Sequence, residues 1–82
     1  MRITTEGGKY TVEIRPQLTD KSRGLITVQP SPQHREALEG AAIVLRDSKG
    51  RVLLEGKIVS SEVSQVIEDL DKIEYGLIVQ AR

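Results

Sequence analysis

The chain has 82 residues, zero formal net charge from 12 basic and 12 acidic side chains, and no cysteine. That length holds one compact domain, residues 1–82. The missing cysteine excludes disulfides, thiolate nucleophiles and iron–sulfur ligation, and neutrality argues against a nonspecific nucleic-acid binder, which is usually basic.

The apolar set is eight Ile, eight Val and eight Leu, with no Phe or Trp and only Tyr10 and Tyr75 as aromatics. Branched aliphatics suit strands and leave few platforms on which bases or sugars stack. No apolar run reaches signal-peptide or membrane-spanning length, so a cytoplasmic protein is expected.

Gly7-Gly8 predicts a two-residue hairpin turn. Beyond it, Tyr10, Val12 and Ile14 alternate with polar residues at the strand period of two. Residues 16–23 break the pattern as a loop, and Leu25–Gln29 reads as a third strand closed by Pro30. Ser31-Pro32 is a helix start for a short helix ending at Gly40. Ala41–Arg46 is an apolar run suited to a strand covered on both faces. Asp47-Ser-Lys-Gly50 forms a turn into Arg51–Val59, with Gly56 marking a bulge. Val63, Val66, Ile67, Leu70 and Ile73 share one stripe of a helix over 61–73; a strand over 62–67 is the rival reading, which Val66 breaks. Residues 75–81 form the last strand.

The order β-β-β-α-β-β-α-β predicts an α+β fold, a small, mainly antiparallel sheet with two helices packed on one face. Val44–Leu54, followed by Leu70-x₄-Tyr75-Gly-Leu-Ile-Val79, resembles small immunoglobulin-like bacterial modules, among them the C-terminal sorting domains of gliding bacteria. Pro30-Ser31-Pro32 is similar to their Pro-Asn-Pro start. The glycine such modules carry before the tyrosine is replaced by Ile73-Glu74. The resemblance implies an all-β immunoglobulin-like sandwich as the alternative fold.

No residue pattern assembles a catalytic, cofactor or metal site. His34 is single and expected on the solvated side of the short helix. Gly7-Gly8-Lys9 leads into a strand, where a phosphate loop would need a helix. Charge is uneven: residues 1–60 carry +3 and residues 61–82 carry −3. Glu62, Glu68, Asp69, Asp71 and Glu74 form an acidic cluster suited to a basic partner. Lys21, Arg23, Arg35, Lys49 and Arg51 form a basic patch if their loops meet at one end.

Two functional expectations follow. The first is a non-enzymatic protein-interaction module, a homo-oligomeric accessory or regulatory protein pairing through the hairpin over residues 2–15 or the C-terminal strand. The second is a nucleic-acid-binding regulator using the basic patch. Neither involves a membrane, a cofactor or a small-molecule substrate.

Overall fold

A computed structural model describes all 82 residues. About half of them lie in seven strands: β1 (Arg2–Thr5), β2 (Tyr10–Pro16), β3 (Gly24–Pro30), β4 (Ala42–Arg46), β5 (Val52–Lys57), β6 (Val63–Ile67) and β7 (Ile78–Ala81). They form two antiparallel sheets, ordered β1-β2-β3-β6 and β5-β4-β7. Successive strands alternate in direction, so the connections gather at two ends. Residues 6–9, 31–41 and 58–62 lie at one end, and residues 17–23, 47–51 and 68–77 at the other.

The two sheets face each other across one aliphatic core. Tyr10, Val12, Ile14, Ile26 and Val28 come from one sheet, and Ile43, Leu45, Leu54 and Val79 from the other. Every second residue of β2 and β3 points inward, as the period of two requires. β4 is the central strand of its sheet, which accounts for its unbroken apolar run: Val44, on the outer face, is only 8% exposed. Arg82 and Glu55, one beyond β7 and the other in β5, meet across β4 at 2.5 Å. Between β4 and β5 the register slips, so that Leu45 faces Leu54 while Arg46 faces Val52. The bulge turns consecutive Leu53 and Leu54 into the core.

Several expectations are corrected. The helix over 61–73 is absent: Val63–Ile67 is strand β6 and Leu70–Lys72 a single 3₁₀ turn. Val63 and Ile67 turn inward, whereas Val66 stands 59% exposed. Helical spacing was a coincidence of β-branched residues in a segment that β3 recruits as its outer neighbour, a tertiary contact that outweighs weak local preference. The first helix shortens to a 3₁₀ turn over Pro32–His34 and one α-turn, α1 (Arg35–Leu38). Ser31 does not cap it; its hydroxyl lies 2.8 Å from Nδ1 of the half-buried His34. Two helices packed on one face are therefore not present.

The first hairpin closes through residues 6–9, with Glu6, Gly7 and Gly8 all at positive φ, because Thr5 pairs with Tyr10. The bulge sits at Leu53, and Gly56 continues its strand. The strand order also departs from the A-B-E-D and C-F-G sheets of the immunoglobulin fold.

The segment 68–77 passes from β6 to β7 beneath the sandwich and buries Leu70, Ile73 and Leu77. Gly24 makes that crossing possible. A Cβ there would stand 2.4 Å from the Arg15 carbonyl oxygen and 2.8 Å from Leu70 Cδ1. Near the opposite end, burial and, secondarily, the Glu6 carboxylate push the Tyr10 phenol above its usual pKa, and the buried Thr5 hydroxyl has no hydrogen-bond partner.

Two outcomes are expected in thermal melts. Gly24→Ala forces backbone or Leu70 to move and costs about 1–3 kcal/mol. Thr5→Val removes an unsatisfied buried hydroxyl at nearly constant shape and stabilises by about 1 kcal/mol, a rise in Tm of roughly 4–8 °C in a domain of this size.

Candidate functional site

The acidic cluster and the basic patch lie mostly at the same end of the sandwich, and there they meet each other. Arg23 Nε lies 3.4 Å from Glu68 Oε1, and Lys49 Nζ lies 4.0 Å from Glu74 Oε1. Arg51 donates from both terminal nitrogens to backbone carbonyls, at 2.8 Å to Glu68 and 3.1 Å to Asp69. Asp69 sits there in the left-handed conformation, with φ 56°. Lys21 and Asp71 are exposed at this end. Arg35, on α1, and Glu62, which accepts from the Ser64 hydroxyl at 3.3 Å, lie at the opposite end. Neither predicted group forms a surface of one sign. The connections at the shared end hold five cations and six carboxylates. Exposed ion pairs of this kind contribute up to about 1 kcal/mol each, so their value lies in cancelling the local field.

The carboxylates that organise the molecule are others. Asp47, 3% exposed, accepts at Oδ1 from the backbone N–H groups of Lys49 and Arg51, at 3.0 and 2.9 Å. Its Oδ2 accepts from the N–H of Glu74 at 3.3 Å. Ser48 reinforces the junction, donating from its N–H and its hydroxyl to the Glu74 carbonyl at 3.0 and 3.1 Å. Burial works to raise the Asp47 pKa. Donation by Arg51, Glu74 and Lys49 N–H groups, with the Arg51 charge, outweighs it and holds the carboxyl below the usual aspartate range.

Glu39 binds the turn between β5 and β6, accepting from Ser60 and Ser61 N–H at 2.7 and 3.0 Å, two residues held at positive φ. Glu6 accepts from Val79 N–H at 2.9 Å. Asp20 serves its own loop: the Ser22 hydroxyl, 2.6 Å away, and then the Ser22 N–H hold its carboxyl below the usual range. Sequence reading missed Glu6 and Glu39 as anchors, because no local motif links either to the N–H groups it serves.

Three sheet edges carry contacts from outside their own sheet. Glu6 takes one outward N–H of β7, that of Val79. At the opposite corner β5 and β6 close on each other: Gln65 Oε1 accepts from Glu55 N–H at 3.4 Å, Val59 and Glu62 bridge, and Val63 Cγ2 stands 3.0 Å from where a Gly56 Cβ would be. The fourth edge, β1, pairs only with β2. The C-terminal strand, expected as an edge for pairing, therefore carries a side-chain cap, whereas the first hairpin does not.

The outer face of the four-stranded sheet carries a polar row in register, Arg2–Glu13–Thr27–Ser64. Glu13 is paired with Arg2 at 3.5 Å and with Arg15, and the Thr27 and Ser64 hydroxyls are 2.8 Å apart. Together with Leu25, Gln29 and Glu62 these residues line a shallow depression of about 190 Å³. No group of three or more His, Asp or Glu side chains is arranged to hold a metal ion, and no helix is long and apolar enough to cross a membrane. The chain matches no protein-family model, no curated protein and no solved structure.

Acid titration tests the Asp47 anchor. A carboxyl whose pKa is lowered by folding contributes stability fully above its unfolded pKa, about 3.9. That stability is lost as pH falls through the lower folded value. Asp47→Asn is expected to lower Tm at pH 7 and to flatten the decline of Tm below about pH 4 relative to the wild type.

Proposed function

We propose that this protein is a non-enzymatic protein-interaction module that engages an extended segment of its partner along β1. The observation that carries this reading is the contrast among the four sheet edges: Glu6 bonds one outward N–H of β7, β5 and β6 close on each other, and β1 carries a row of outward backbone donors and acceptors that no side chain meets. An exposed edge of this kind recruits a strand through main-chain hydrogen bonds. The partner is a protein, either a second copy in a homo-oligomer or a regulatory client.

The charge arrangement supports a protein partner over nucleic acid. Phosphate binding draws on a basic field, and at the end of the sandwich where Arg23, Lys49 and Arg51 converge, carboxylates pair with Arg23 and Lys49 while backbone carbonyls engage the Arg51 donors. Fluorescence anisotropy at low salt is expected to show no binding to DNA or RNA.

Thr4→Pro tests the edge directly. Proline is tolerated where a strand's N–H faces outward, so the variant is expected to fold and to lose association. Affinity capture and sedimentation, run on wild type and variant in parallel, read the result. A wild-type chain that neither self-associates nor retains a protein lost by Thr4→Pro overturns the reading.

A further inference from the structure

The bonding parity of β1 narrows the partner further, resting on the reading of β1 as a docking edge. Met1 exchanges both of its backbone bonds with Ile14, at 3.0 and 2.9 Å. In the same register Ile3 faces Val12 and Thr5 faces Tyr10. Antiparallel pairs alternate between bonded and non-bonded, so Met1, Ile3 and Thr5 direct their N–H and C=O groups toward β2. Those of Arg2 and Thr4 point away from the sheet. By the same alternation the side chains of Met1 and Ile3 share the inner face with buried Thr5. Met1 is nevertheless 63% exposed and Ile3 half-buried, because no strand lies beyond them.

We propose that the strand completing this edge is β1 of a second copy of the chain, antiparallel, with a two-fold axis passing at Ile3. In that register Arg2 and the partner subunit's Thr4 exchange two backbone bonds, and the axis repeats them, giving four in all. Ile3 meets its own symmetry mate, and the Met1 and Ile3 side chains of both copies cover one another. Symmetry of this kind makes the interface self-complementary.

The neighbouring registers fail on charge and geometry. A shift of two residues one way sets Arg2 opposite Arg2, and like charges directly opposite destabilise a sheet. A shift the other way sets Arg2 opposite Glu6, which has left the strand at φ 55° and whose carboxylate is engaged with Val79. Only the register centred on Ile3 pairs the strand along its length. An edge this short lies below the standard interface size of about 1,200–2,000 Å², so the dimer is weak, with Kd between about 1 µM and about 1 mM.

Because the chain has no cysteine, a single introduced one reports position without interference. Residues facing each other in a non-bonded antiparallel pair have Cα atoms about 4.5 Å apart, within disulfide reach. Ile3→Cys in a glutathione redox buffer is expected to form covalent dimers at least about ten-fold faster than Val66→Cys, an exposed site on a different strand. Adding Thr4→Pro to Ile3→Cys is expected to bring the rate down to that of Val66→Cys. Sedimentation of the wild type up to about 1 mM is expected to show a weight-average mass that rises with concentration, and Thr4→Pro a constant monomer mass.

Equal cross-linking of Ile3→Cys and Val66→Cys overturns the second-copy assignment, as does a dimer that survives Thr4→Pro. If Thr4→Pro still abolishes capture of another protein, the docking edge stands with a different partner. If no Thr4→Pro-sensitive association of any kind is found, both the edge and the second copy are rejected.

Discussion

The architecture depends on how carboxylates hold backbone N–H groups across the connections. An aliphatic core without aromatic plates packs two sheets together through many small, nondirectional contacts. Such contacts do not by themselves say how seven strands should be strung. Direction comes from Asp47, which ties the β4–β5 turn to the segment leading into β7, from Glu39, which ties α1 to the β5–β6 turn, and from Glu6, which ties the first hairpin to the last strand. Each bond is charge-assisted, and each removes a donor that the loop geometry would otherwise leave without a protein partner.

Seen in this light, the two charge clusters change meaning. Carboxylates near the C-terminus and cations from two loops are drawn to one end of the molecule, where the segment 68–77 must cross beneath the core. Arg51 shows why: its guanidinium satisfies the carbonyls of Glu68 and Asp69 where the chain bends through a left-handed residue. The charge imbalance along the sequence is the one-dimensional trace of this mutual docking.

Much of the fold was legible. Gly7-Gly8 and Asp47–Gly50 marked two hairpins, alternation at Tyr10, Val12 and Ile14 marked an inward face, and the run at residues 41–46 marked a strand buried on both sides. The failure at 61–73 has a definite cause. Val63 and Ile67 satisfy strand and helix spacing alike, and the deciding contact, with Val28 through Gly24 on β3, is remote in sequence. The basic patch was legible as residues without being legible as a surface, since the carboxylate that pairs with Arg23 and the carbonyl that accepts from Arg51 lie 45 and 17 positions away. The open edge of β1 was anticipated as part of the first hairpin. What distinguishes it from β7, the bond from Val79 N–H to Glu6, spans 73 positions and leaves no local sign.

That same Glu6–Val79 bond bears on how the protein comes into being during synthesis. β4 is the middle strand of its sheet and pairs with β7 on one side, so from the time β4 and β5 are made until residues 78–81 emerge, its second flank lies bare. Over that interval the nascent chain has an additional open strand flank, and the Glu6 carboxylate that later accepts from Val79 N–H lacks that partner. Completion of this sheet thus waits on the emergence of residues 78–81, and the first hairpin waits with it for β7.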